Sequence, residues 1–194
     1  MKTVVVFARW PAPGQVKTRL APALTGVPAR DLHVAMLEDT LAAVRGASAD
    51  RRVLCWADAP PDAQPSAIPG TEDCEWRSQG EGALGERLER ALATLLTRGG
   101  RIVVTGSDAP EITSAALDRA FLALATFDLV IGPTPDGGYH LIGLSRIAPG
   151  LFHHVAWSTP HARDDTLRGH APSVSRSKRS RLWPTWTRER IWPG

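Results

Sequence analysis

Cysteine is scarce in this sequence. Two cysteines, Cys55 and Cys74, occur in 194 residues, and they form no metal or redox motif. A reducing, cytoplasmic setting is therefore expected. Long apolar runs are missing as well. None reaches the ~18 residues of a membrane-spanning helix. Met1-Lys2-Thr3 runs directly into a strand-like Val4-Val5-Val6-Phe7, with no signal-peptide apolar region and no small-residue cleavage site. Strong net charge is missing too. With 43% hydrophobic and 22% charged residues the chain has the composition of a globular protein and not of a disordered one. Its length suits one domain with a core that needs no disulfide or metal staple.

The net charge of +3 is unevenly placed. Residues 1–160 carry 15 basic and 17 acidic side chains, and residues 161–194 carry 8 and 3. The C-terminal stretch accounts for the whole excess and also holds Trp183, Trp186 and Trp192. Two readings fit it: a basic, aromatic binding tail, or a segment foreign to the fold.

The pattern along the chain alternates strands and helices. Strands are expected at 3–9, 52–57, 102–104, 128–132 and 139–144, and helices at 28–45, 84–97 and 113–125. In the first helix Leu32, Ala35, Met36, Leu41 and Val44 are read as the buried stripe. Pro28 suits its first turn, and Gly46 its end. The alternation predicts an α/β fold: three layers, a mostly parallel sheet, and helices on both faces. Residues 58–70, with four prolines, read as loop.

Ligands of such sheets gather at the carboxyl ends of the strands. Three polar, glycine-rich segments fall there, and a fourth enters a helix. In the loop after the first strand, Gly14 permits close backbone approach, and Lys17 and Arg19 offer two cations to a pyrophosphate. No glycine directly precedes Lys17, so this is not a Walker A loop. In Gly106-Ser107-Asp108-Ala109-Pro110 the carboxylate of Asp108 is either a Mg²⁺ or Mn²⁺ ligand or the cap of the helix that follows; taken alone, the segment favours the cap. Asp136-Gly137-Gly138-Tyr139-His140 is either a hairpin turn or a backbone laid against a ligand. Gln79 to Arg87 is either a base- or ribose-facing segment or an ordinary helix entry. His140 is a candidate base, but a lone histidine in a strand is more often structural.

Taken together, these segments resemble the DUF2064 family. The resemblance rests on Phe7-Ala8-Arg9, Pro13-Gly14, Lys17-Thr18-Arg19-Leu20, Gly85-Glu86-Arg87, Gly106-Ser107-Asp108-Ala109-Pro110, Gly132-Pro133, Asp136-Gly137-Gly138-Tyr139 and Trp157-Ser158-Thr159, and it covers about residues 3–166. That family is assigned provisionally to glycosyltransferases of the GT-A, nucleotide-diphospho-sugar transferase fold. It is similar to 2-phospholactate guanylyltransferase and the molybdenum-cofactor guanylyltransferases. The resemblance implies a transferase dependent on Mg²⁺ or Mn²⁺. Gly14, Lys17, Thr18, Arg19, Gln79, Gly85 and Arg87 would serve the nucleotide. Asp108 would be the metal carboxylate and, with Asp136, catalytic. Gly137, Gly138, Tyr139, Trp157, Ser158 and Thr159 would line the acceptor side. Ser107 and Ala109 depart mildly from the family's frequent Thr and Cys. Ala83 replaces a frequent Asp, which weakens the Gln79–Arg87 assignment.

The implied domain is 1–166, followed by an atypical tail, 167–194. Relatives continue with a helix, a strand and an Asp-x-Asp-Thr … Asp-Leu motif, which would add a second carboxylate or amide on the metal side. Read two bases out of frame from His170 onward, codons compatible with the tail permit that continuation. A frameshift is thus the expected origin of the tail, and a divergent segment that binds something acidic is the rival.

The implied function is glycosyl transfer from a nucleotide sugar to a small-molecule acceptor. The alternatives are guanylyltransferase-like nucleotidyl transfer to a phosphorylated small molecule, or nucleotide binding with activity lost through the altered C-terminus. Neither nucleic acid nor a membrane is an expected partner.

Overall fold

The computed structural model describes residues 1–64 and 68–170. The basic, tryptophan-bearing stretch read as a frameshift product lies, from residue 171 onward, outside the described residues.

The elements run in chain order as β1 (Lys2–Arg9), a 3₁₀ turn (Thr18–Leu20), α1 (Gly26–Gly46), β2 (Arg51–Ala57), β3 (Glu75–Ser78), α2 (Leu84–Leu95), β4 (Arg101–Gly106), α3 (Ser114–Ala123), β5 (Leu129–Pro133), β6 (Tyr139–Leu144) and α4 (Ala162–Gly169). One six-stranded sheet forms in the order β3-β2-β1-β4-β6-β5. The four strands from β3 to β4 pair in parallel, and β6 runs antiparallel to both β4 and β5. The expected mostly parallel α/β sheet is what forms.

Strand alternation builds the two outer layers. Val4, Val6 and Val103 pack with Leu37, Leu41, Leu117 and Phe121 of α1 and α3 on one face. Val5, Val53, Ile102 and Val104 pack with Leu88, Leu92 and Leu95 of α2, and with Leu151 and Phe152, on the other. Both faces of the central strands are covered, which is why those strands read as continuous β-branched runs. On the α1 face Trp56 is buried, and Trp10 and Trp76 meet it edge-on or tilted, each with its ring centre 5.3 Å away.

The α1 stripe needs correction. Its buried residues are Ala29, His33, Leu37, Thr40, Leu41 and Val44, while Leu32 and Ala35 face outward. The true stripe passes through two polar side chains, each satisfied by a backbone carbonyl: Thr40 donates to Met36 O at 3.0 Å, and His33 Nε2 to Arg9 O at 2.9 Å. A hydrophobic tally passes over such positions. Also unexpected are the short edge strand β3, whose Glu-Trp-Arg-Ser is mostly polar, and α4, which crosses the expected boundary at residue 166.

Candidate functional site

Two groups of side chains stand at the carboxyl end of the parallel strands. The first joins the loops after β1 and β4. Lys17, in a left-handed backbone conformation (φ 53°), directs its ammonium to Asp108, with Nζ 3.0 Å from Oδ1. The His33 ring, 3% exposed, lies on the same side, Nδ1 3.5 Å from that oxygen. His33, first, and then Lys17 hold the Asp108 carboxyl down at about 2, against the opposing effect of its burial. Asp108 is therefore an anion at any physiological pH.

Asp108 is not a helix cap. Helix α3 begins at Ser114, and Thr113 caps it, its hydroxyl accepting from Ala116 N at 3.1 Å. The cap reading fails because the loop after β4 runs farther before the helix starts. His33 is the residue that sequence reasoning missed. A histidine inside a helix carries no local signal for a partner in another loop.

The second group lines a cavity of about 400 Å³. Phe7, Val104, Leu84, Leu88 and Ile142 are among its apolar walls, and Arg19, Asp136, Gly138, Tyr139, His140, Trp157, Ser158 and Thr159 also line it. Tyr139 and Trp157 meet edge to face at 6.1 Å. The Tyr139 hydroxyl pairs with Thr166 Oγ1 at 3.2 Å, and burial pushes its phenol up to about 12. So α4 closes this side of the cavity.

The hairpin reading of Asp136-Gly137-Gly138 and the ligand-wall reading meet in one turn. β5 and β6 are joined there, and Thr134 N donates to Gly138 O at 3.1 Å. Asp136 Oδ1 accepts from Thr134 Oγ1 at 2.5 Å and from Gly138 N at 3.1 Å; the Thr134 bond in particular holds its carboxyl below the usual range. Gly137, at φ 85°, lies against Pro160, and a Cβ there would sit 2.1 Å from Pro160 O. The pairing shifts register beside it, from Gly132 opposite Leu141 to Pro133 opposite Tyr139, and leaves His140 as the extra residue of a bulge. Its Nδ1 is buried without a partner, and burial holds its pKa low.

Several expected nucleotide residues turn inward. Gln79 is buried, and its amide donates to Ala8 O at 3.1 Å and to Cys55 O at 2.9 Å. Its oxygen accepts from Arg87 Nη1 at 3.2 Å. Gln79 thus ties β1 to β2, and Arg87 supports it. Gly85 is buried where a Cβ would meet Phe152 at 3.1 Å and Trp157 Nε1 at 3.3 Å, so its bareness serves packing. Gly14 (φ 77°) and Thr18 lie in the exposed loop after β1. Gly14, Lys17, Thr18, Gln79, Gly85, Arg87, Gly137 and Asp108 are not among the cavity's lining residues, although Lys17 and Asp108 each stand two residues from one that is: Arg19 and Gly106.

Among the described residues no three His, Cys, Asp or Glu side chains converge as a metal cage. Asp108 is a single, half-exposed, fully ionised carboxylate. That donor set fits Mg²⁺ or Mn²⁺ shared with phosphate oxygens and does not fit an ion held by protein alone.

The sequence model of DUF2064, described as an uncharacterized protein conserved in bacteria, matches residues 40–159. The chain belongs to this family. A structure from Desulfovibrio desulfuricans G20, provisionally named a nucleotide-diphospho-sugar transferase, is 27% identical with a TM-score of 0.76, and the match covers 86% of this chain and 74% of that one. Two more distant structures share the fold. Rv0371c of Mycobacterium tuberculosis H37Rv, in complex with manganese, is 23% identical over 75% of this chain and 71% of its own, TM-score 0.50. A nucleotidyl transferase from Methanothermobacter is 18% identical over 73% and 70%, TM-score 0.52. No curated protein matches the sequence. Among the described residues, no helix is long and apolar enough to cross a membrane.

Proposed function

We propose that this member of DUF2064 is a transferase that takes its group from a nucleotide donor, and that the donor is a nucleotide-diphospho-sugar. One observation carries the reading. Lys17 and Asp108 oppose each other at the tips of the two central strands, and Arg19, two residues on from Lys17, lines an adjoining cavity large enough for a small acceptor. The Desulfovibrio relative, 27% identical over most of this chain, supports the same class.

A nucleoside diphosphate is a poor leaving group until its charge is countered. In this reading Lys17 and Arg19 neutralise the departing phosphates. Asp108 would hold Mg²⁺ or Mn²⁺, which when bound supplies further neutralisation of the diphosphate. Tyr139 and Trp157 present an aromatic wall to the acceptor, and the Asp136–Gly138 turn fixes the mouth of the cavity. Gln79 and Gly85 act at one remove: they hold β1, β2 and the start of α2 in place.

A thermal-shift panel of nucleotide sugars and nucleoside triphosphates, with and without Mn²⁺, tests the proposal. The expected result is one preferred nucleotide sugar whose stabilisation grows with Mn²⁺. A protein that responds to no nucleotide sinks it, and a protein that responds only to triphosphates moves the assignment to nucleotidyl transfer.

A further inference from the structure

The cation that faces Asp108 in this fold is Lys17. Its ammonium is 3.0 Å from Oδ1, and its side chain is 14% exposed, whereas that of Asp108 is 58% exposed. The arrangement is built in. Lys17 adopts a left-handed backbone (φ 53°), which a residue with a Cβ adopts only when its surroundings hold it there. His33, buried in α1, approaches the same oxygen while its other nitrogen donates to the Arg9 carbonyl. One carboxylate oxygen therefore has two nitrogen groups beside it. No second carboxylate completes a cage among the described residues.

We propose that Lys17 is a latch on Asp108. It competes with a divalent cation for the carboxylate, so the ion joins the protein only when nucleotide phosphates have drawn Lys17 away. The inference rests on the reading of Asp108 as the residue that would hold the metal, and it adds an order of binding to that reading. The physical reason is charge balance. Paired with Lys17, the Asp108 carboxylate is already neutralised, and a divalent ion brought to it would meet a nearby ammonium. A polyphosphate offers that ammonium a stronger partner, and the carboxylate is then free for the cation.

The test uses the full chain and Mn²⁺ alone, followed by the electron paramagnetic resonance signal of free Mn²⁺. Lys17→Met keeps the length of the side chain and removes its charge. The expected result is that Lys17→Met binds Mn²⁺ at least about tenfold tighter than the unmodified protein, and that Lys17→Met combined with Asp108→Asn loses the gain. Lys17→Gln gives a second neutral variant if Lys17→Met does not fold. Equal or weaker Mn²⁺ binding by the neutral variant overturns the latch, and so does a gain that survives Asp108→Asn. A separate arm isolates the underlying reading: Mn²⁺ is titrated in the presence of the nucleotide selected by the thermal-shift panel, with and without Asp108→Asn. If Asp108→Asn leaves that joint binding intact, Asp108 is not the metal residue and both ideas fall. If it abolishes joint binding while Lys17→Met shows no gain, only the latch falls.

Discussion

Lys17 and Asp108 come from loops far apart in sequence, yet their charged atoms lie 3.0 Å from each other at the tips of adjacent strands. Asp108→Asn keeps the shape and removes the charge. Under the proposed function, turnover with a nucleotide sugar and Mn²⁺ should fall by about 10²-fold or more, while the far-ultraviolet circular dichroism spectrum stays unchanged. Steady-state kinetics on the preferred donor checks this, and full activity in the variant removes Asp108 from the machinery.

The same carboxylate sets a pH dependence. Its folded pKa of about 2 lies below the ordinary aspartate value of 3.8. A depressed acid stabilises the fold above its unfolded pKa, and that contribution is lost as pH falls from about 4 through 2. Because the side chain is more than half exposed, the contribution is discounted to about 1 kcal/mol. Urea melts at pH 7 and pH 2.5 should show the unmodified protein losing most of this increment and Asp108→Asn lacking it at both values. An identical pH response in the two proteins contradicts the pairing.

Arg19 lines the cavity and has an exposed side chain. Arg19→Met should weaken the affinity for a diphosphate-bearing donor by about tenfold and leave the melting temperature within about 2 °C. Titration calorimetry beside a thermal melt separates the two effects. Unchanged affinity would assign the phosphates elsewhere.

Gln79→Ala separates a brace from a ligand contact. The variant strips two buried carbonyls, Ala8 O and Cys55 O, of a donor and leaves Arg87 without its acceptor. Stability should drop by about 2–3 kcal/mol. At a temperature where the variant is fully folded, nucleotide affinity should change less than about threefold. A large loss of affinity with little loss of stability would return Gln79 to the nucleotide.

Gly137→Ala probes the turn at the cavity mouth. The new methyl would fall 2.1 Å from Pro160 O, on a backbone at φ 85°. Chemical denaturation should show a loss of at least about 2 kcal/mol. Gly14→Ala tests the φ effect alone, because nothing lies within 4 Å of its Cβ position. It should cost about 1–2 kcal/mol.

Apart from β3 and α4, the order of strands and helices was legible because two periodicities alternate along the chain: runs such as Thr3-Val4-Val5-Val6 at β1, and helical stripes at α2. Family motifs pointed to the loops at the right end of the sheet. Individual roles were less legible. Asp108 looked like a cap until the start of α3 at Ser114 was known. His33 drew no reading from the sequence, and its part shows only where Arg9 O and Asp108 stand beside it. Gln79 and Gly85 looked like ligand residues because glycine and amide groups serve close approach of any kind, and here what approaches is protein.

The sequence by itself determined the α/β class, the placement of the strand-end loops and the family. Each follows from local pattern or from residues close along the chain. Only the tertiary structure decided which carboxylate faces which cation, that Arg19 enters the cavity while Lys17 turns to Asp108, and that one turn both joins β5 to β6 and walls the cavity. Those outcomes depend on distances between segments that packing brings together, and a distance through space has no signature in the order of residues.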